Sequence, residues 1–330
     1  MNEFHWQVAQ SVEDAAGAKQ HPQNHLIAGG TTQLDLMKCG VFTPSRLTDI
    51  AGLPNLSAID FGQDNITIGA LVTMSELANH PACEREAPAL YGSLWQAASP
   101  QIRNMATIGG NLCQRTRCAY YRDPATFSAC NKRVPGSGCA ARHGVNTNHA
   151  ILGNSDHCVA VYPGDMAVAL TAFDATVVVQ NSQQQSRRIQ IEDFFLLPGD
   201  TPHHEHALLA DEIIVAIEIP CSPALKQSHY LKVRDRTSYE FASASAAVGL
   251  TLNQGMIETV HIALGGVATK PWRARRIEQA LTGQPFEHQT LYEAAELINQ
   301  ETQALSGNAH KIQLTPRVIA RALMAAGEIV

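Results

Sequence analysis

The sequence predicts an α+β fold in two parts, and three observations lead there. Short strand-then-helix units open the chain. A glycine pair with neighbouring hydroxyl or amide residues occurs twice, in Gly29-Gly30-Thr31-Thr32 and in Thr107-Ile108-Gly109-Gly110-Asn111. The last third gathers strands first and helices afterwards. At 330 residues, 45% hydrophobic and 16% charged, the chain is long enough to bury two or three cores.

In chain order, residues 11–19 read as a helix, 25–28 as a strand and 33–38 as a helix. The first glycine pair therefore sits in a strand-to-helix turn, whose free backbone N–H groups suit an anion. Glycine lets the backbone approach closely, and Thr31 and Thr32 add hydroxyl donors. The pattern is neither G-x-G-x-x-G nor G-x-x-x-x-G-K-[ST], so on these residues alone a plain turn before a helix remains the simpler reading.

A second unit follows, with a strand at 65–69, a Thr73-x-x-Glu76 capping box and an amphipathic helix at 87–98. The second glycine pair is expected in a loop after that helix, and two such turns can clamp a pyrophosphate from both sides. Further on, Asp165 heads an apolar helix at 166–173, where its ordinary role is an N-cap. Strands are expected at 175–179, 212–220, 228–234, 243–252 and 256–267, then helices at 272–281, 291–299 and 316–328. The change of character near residues 220–227 divides the chain into 1–222 and 223–330, and the first part divides again into 1–52 and 53–222.

Between the second glycine pair and Asp165 lies a stretch with no sustained period, and it holds five of the eight cysteines: Cys113, Cys118, Cys130, Cys139 and Cys158. A long irregular segment loses roughly 1 to 2 kcal/mol of backbone entropy per residue on ordering, so something other than a core must hold it. Four thiolates close either an iron-sulfur site or a zinc site. The spacing Cys118-x11-Cys130-x8-Cys139-x18-Cys158 contains no C-x2-C pair. From the residues, a cluster, a structural zinc drawing on His143 or His157, and ordinary loop thiols or disulfides all stay open.

A formal net charge of −6 argues against a nucleic-acid surface. The local basic group, Arg115, Arg117, Arg122, Lys132 and Arg133, is expected to offset thiolate charge. The first residues lack a basic segment followed by an apolar run, so no signal peptide is expected, and no apolar run approaches the ~20 residues of a membrane span.

Three segments carry a family resemblance: LIAGGTTQLDLMK, RNMATIGGN and YLKVRDRTSYEFASAS. Together they resemble the FAD-binding medium subunit of the xanthine oxidase and carbon monoxide dehydrogenase family, over essentially the whole chain. The insertion at 112–162, with QRTRC, CNKR and PGSGC, is similar to that of the FAD subunit in bacterial three-subunit molybdenum aldehyde oxidoreductases. Hydroxybenzoyl-CoA reductase carries a similar cluster-bearing insertion and supplies the alternative reading, alongside a zinc-stabilised, non-redox binding subunit.

The resemblance implies a two-part FAD-binding domain of the vanillyl-alcohol-oxidase (PCMH) type and a smaller α+β C-terminal domain. It places Leu26, Ile27, Ala28, Gly29, Gly30, Thr31, Thr32, Gln33 and Leu34 at the first pyrophosphate loop of a non-covalent FAD. Thr107, Gly109, Gly110 and Asn111 match the second loop. Asp165 matches a flavin-contacting aspartate, while Ile214 and Lys232 match positions near the ends of the cofactor. It implies that Cys118, Cys130, Cys139 and Cys158 ligate a 4Fe-4S cluster, with Cys113 a structural departure.

On the same basis this chain is one relay in a heterotrimer. A large molybdopterin subunit oxidises an aldehyde to a carboxylic acid, a small 2Fe-2S subunit passes the electrons on, and the flavin here delivers them to an external acceptor. No catalytic residue beyond the flavin is implied in this chain, which is expected to be inactive alone. The resemblance also implies a periplasmic location reached by co-export with a partner bearing a twin-arginine signal; the chain's own start would leave it cytoplasmic.

Overall fold

The computed structural model describes residues 1–328. The chain opens with β1 (His5–Val8), β2 (Asn24–Ile27) and β3 (Arg46–Asp49), which form a parallel sheet in the order β1-β3-β2. Parallel neighbours need crossovers, and the helices Val12–Lys19 and Gln33–Lys38 supply them. Ser11 starts the first helix by accepting the Asp14 N–H at 3.2 Å.

The second sheet is antiparallel, with β4 (Ile59–Phe61), β5 (Asn65–Gly69), β6 (Thr176–Asn181), β7 (Ser186–Gln190) and β8 (Glu212–Pro220) in the order β4-β5-β8-β6-β7. At the start of β8, Ile213 faces the small core that also holds Ala15, Leu53 and Leu71, while Ile214 faces the large core of this sheet and its helices. The strand is thus covered on both faces where it reaches the first sheet's unit. The capping box at Thr73 and Glu76 forms as expected, with both reciprocal bonds present.

A third sheet, β9 (Ser228–Val233), β10 (Ala244–Asn253), β11 (Met256–Gly265) and β12 (Trp272–Arg273), runs antiparallel in the order β12-β11-β10-β9. The helices Arg275–Leu281, His288–Ala295 and His310–Ala326 follow it. Helix Asp165–Ala172 is buried along its whole length, packed against the third sheet and the helix Pro88–Trp95, so an almost wholly apolar sequence suits it.

Four expectations need correcting. Residues 272–273 are strand, because Trp272 and Arg273 pair with Leu264 and Ala263, and the helix begins at Arg275. The last helix starts at His310 and runs through Pro316. Burial of Val318, Ile319 and Leu323 outweighs the ~3 kcal/mol penalty of an interior proline. The second glycine pair lies inside a helical turn, Ile108–Leu112, rather than in a loop. The N-cap ahead of Asp165 is Gly164, and the aspartate side chain is used elsewhere.

Candidate functional site

A cleft of about 530 Å³ opens where the parallel sheet meets the second sheet. Of the residues predicted for a cofactor, Leu26, Ile27, Ala28, Gly29, Gly30, Thr31, Thr32, Gln33, Thr107, Gly109, Gly110 and Ile214 line it. Such a volume is within the range of organic-ligand sites.

The two glycine turns contribute different things. Gly30 has φ +70°, which turns the chain from β2 into the helix Gln33–Lys38. Among the described residues, the N–H groups of Gly29, Gly30, Thr31 and Thr32 donate to no group of the chain, so four backbone donors meet the cleft unused. This is the donor set a pyrophosphate requires.

The second turn has already committed its donors. Ile108 N–H donates to Val72 O at 2.8 Å, Gly109 N–H to Ala70 O at 2.8 Å, and Gly110 N–H to the Thr107 hydroxyl at 3.3 Å. It offers closeness instead: a Cβ on Gly109 would press on Ala70, and one on Gly110 would meet only the Thr107 hydroxyl. The expected two-sided clamp is therefore one-sided in N–H donors, with the Thr107 hydroxyl hydrogen as the second turn's contribution.

Four residues expected at the cofactor do not line the cleft. Leu34 packs with Ile27, Met37 and Leu47. Asn111 turns its amide to the Met74 sulfur at 3.4 Å, and its buried Oδ1 has no partner. Asp165 and Lys232 hold one another at 2.8 Å; Tyr230 also donates to Asp165 at 2.6 Å, and Lys232 to Gln96 O at 3.1 Å. Burial raises the Asp165 carboxyl above its usual range, against the pull of Lys232. Their pairing ties the helix Asp165–Ala172 to β9.

Removing one partner would leave a buried charge unmatched. Lys232→Met is expected to destabilise the protein by about 3 to 5 kcal/mol, and a double variant with Asp165→Asn should regain part of this. Urea unfolding measures both. A single-variant loss under about 1 kcal/mol would show that the pair is not held as described.

The cleft also receives Arg115, Cys113, His204, Glu205 and His206, which the sequence reading did not assign to it. The run His203-His204-Glu205-His206 was the available signal. Glu205 pairs with both Arg115 and Lys132, and these two cations hold its carboxyl below the usual range despite burial. The rest of the basic group is likewise paired with acids or carbonyls: Arg117 and Arg122 meet Asp35 at 3.3 and 2.5 Å, and Arg133 donates to Phe127 O. Two members of the basic group also act on a thiol as expected, Lys132 on Cys158 and Arg115 on Cys113, each lowering the pKa against burial.

Cys118, Cys130, Cys139 and Cys158 line one cavity, together with Tyr121 and Lys132. Local structure brings them there. Cys130 and Cys139 face each other across an antiparallel bridge, closed by a turn in which Gly136 and Gly138 take φ +82° and +101°. Cys118 precedes the helical turn Ala119–Arg122, and Cys158 closes a small loop by donating its N–H to the Ser155 hydroxyl at 3.2 Å.

Burial pushes the Cys118 thiol up to about 12 and the Cys158 thiol to about 11, so ligation by a cation is what would ionise them near neutrality. Among the described residues, no three His, Cys, Asp or Glu side chains converge as they would round a single ion. The cavity shares a wall with the cleft's helix, since Leu36 of Gln33–Lys38 packs on Tyr121 and Cys130. Arg115, which lines the cleft, lies over the Tyr121 ring at 5.6 Å.

Comparison with known proteins adds the family. Residues 2–222 match the family described as FAD binding domain in molybdopterin dehydrogenase, and residues 229–323 match the CO dehydrogenase flavoprotein C-terminal domain. The aldehyde oxidoreductase FAD-binding subunit PaoB of Escherichia coli K12 is 42% identical over 316 residues, which cover 94% of each chain. The glyceraldehyde dehydrogenase medium chain of Sulfolobus acidocaldarius is 25% identical, covering 91% of this chain and 88% of its own. Among solved structures, carbon monoxide dehydrogenase from Hydrogenophaga pseudoflava shares the fold with a TM-score of 0.76 at 24% identity, covering 99% of this chain and 98% of that one. Bound FAD supplies an acceptor for electrons, and the unused N–H groups of Gly29 to Thr32 fit its pyrophosphate. The chain is an FAD-binding subunit of the molybdenum hydroxylase family, with a C-terminal domain of the CO dehydrogenase flavoprotein type.

Proposed function

We propose that this chain is the FAD and 4Fe-4S electron-transfer subunit of a molybdenum-dependent aldehyde oxidoreductase. The observation that carries this reading is the four-cysteine cavity sharing a wall with the flavin cleft. Four thiols line that cavity, the number that a 4Fe-4S cluster takes at one thiolate per iron. The 42% identity to an aldehyde oxidoreductase subunit favours aldehydes as the substrates of the complex.

In this reading Cys118, Cys130, Cys139 and Cys158 hold the cluster, and the first glycine turn holds a non-covalent FAD. The partners are a small 2Fe-2S subunit and a large molybdopterin subunit, and an external acceptor takes the electrons. No helix among the described residues is long and apolar enough to cross a membrane. The location proposed is the periplasm, reached by co-export with a partner bearing a twin-arginine signal.

The purified chain is expected to be yellow-brown, to release all its flavin on acid precipitation, and to carry about four irons per chain. It should oxidise no aldehyde until both partners are added. Colourless protein would defeat the cofactor reading, and aldehyde turnover by the chain alone would defeat the subunit reading. Native complex found in the cytoplasm would defeat the export claim.

A further inference from the structure

One side chain in the cysteine segment has a contact that none of the roles above uses. His149 Nε2 lies 3.3 Å from the Cys118 sulfur. The ring is buried, at 7% exposure, and its Nδ1 is also buried with no partner. Among the described residues, the sulfurs of Cys130, Cys139 and Cys158 have no side-chain hydrogen-bond partner. The pocket is therefore asymmetric at one of its four corners.

The imidazole is held from a distance. Asn308, fully buried, donates from Nδ2 to the carbonyls of His149 and Ala150, both at 3.1 Å. Gly307 N–H donates to Asn146 Oδ1 at 2.8 Å, and Asn146 Nδ2 donates to the Ser306 hydroxyl at 3.3 Å. The C-terminal domain thus fixes the backbone on which His149 stands.

The tautomer follows from hydrogen-bond chemistry. A metal-bound Cys118 thiolate carries no proton, so the only bond the pair can make is from Nε2–H to sulfur. Nδ1 is then a bare acceptor, which agrees with its lack of a partner. The opposite tautomer would bury an unpaired N–H and set a lone pair against the thiolate, and both are unfavourable.

We infer that His149 donates a hydrogen bond to Cys118 and so raises the reduction potential of the cluster that this cysteine helps to hold, an inference that rests on the cluster reading proposed above. Reduction adds negative charge, part of which falls on the ligand sulfur, and a fixed donor there stabilises the reduced form more than the oxidised one. His149 acts through the ligand and is not among the residues that line the cleft.

The test compares wild-type holoprotein with His149→Phe, which keeps the ring's bulk without a donor, and His149→Gln, which restores an N–H. Iron per chain is measured first, then the cluster midpoint by EPR-monitored redox titration, then pulsed-EPR hyperfine coupling in protein labelled with 15N-histidine. The wild type should show a histidine 15N coupling to the reduced cluster. His149→Phe should lose that coupling and shift the cluster midpoint negative, leaving the flavin midpoint in place, and His149→Gln should recover much of the midpoint. An iron-replete His149→Phe with an unchanged midpoint would overturn the inference. Loss of iron from both variants would overturn it too, by making His149 a structural holder of the cluster. Wild-type protein without iron would instead defeat the cluster reading itself.

Discussion

Serine at Cys118, Cys130, Cys139 or Cys158 is expected to empty the purified protein of iron, from about four atoms per chain to almost none, while serine at Cys113 leaves the iron in place. The four residues line one cavity, whereas Cys113 lines the separate cleft of about 530 Å³. Cys113 is the C-cap of the helical turn Ile108–Leu112 and packs against the large core, the place of a small structural side chain. Iron content and the reduced-state EPR signal read the series. Iron lost from the Cys113 variant, or kept in any of the other four, would mean that the ligand set is wrong.

The second large effect separates two glycines that look alike in sequence. A Cβ on Gly29 would stand 1.7 Å from the Met105 carbonyl oxygen, which is backbone and cannot turn aside, so Gly29→Val should yield no folded protein. A Cβ on Gly110 would meet only the Thr107 hydroxyl, at 2.8 Å, and the new methyl groups would extend into the cleft. Gly110→Val should therefore fold, with the circular dichroism of the wild type, and lose most of its flavin absorbance. If both variants fold with flavin bound, the cleft is not the flavin site; if both unfold, Gly110 is structural.

Much of this arrangement was readable from local patterns. Residues 65–69 and 212–220 are strands at the bounds expected, and 33–38 is a helix at the bounds expected, because β-branched content and the glycine turn leave little choice. The turn from β2 into the helix Gln33–Lys38 was legible because a glycine pair ahead of a helical run marks the place where the chain must reverse. What escaped was decided at long range. Trp272 and Arg273 belong to a strand because the Arg273 side chain reaches Asp174 and donates to Thr171 O at 2.7 Å, partners about a hundred positions away in sequence. The cap that the sequence offers for Asp165 is taken by Gly164, because the carboxylate pairs with Tyr230 and Lys232 on another sheet. His149 carried no signal at all, since a single histidine in an irregular segment has no period to betray its neighbour.

The bonds from residues 303–308 to residues 146–154 also set an order of events in the life of the chain. Asn308 holds His149 and Ala150, Gly307 holds Asn146, and Asn154 donates to Gln303 O at 3.2 Å, each across roughly 150 to 160 positions of sequence. Contacts of such separation form late. While the ribosome is still making the third sheet, the segment between the second glycine turn and Asp165 has its cysteines but not its clasp. The clasp is therefore complete only once residues 303–308 have been made. A chain stalled or truncated ahead of residue 303 would present loose thiols to the cell in place of a finished site.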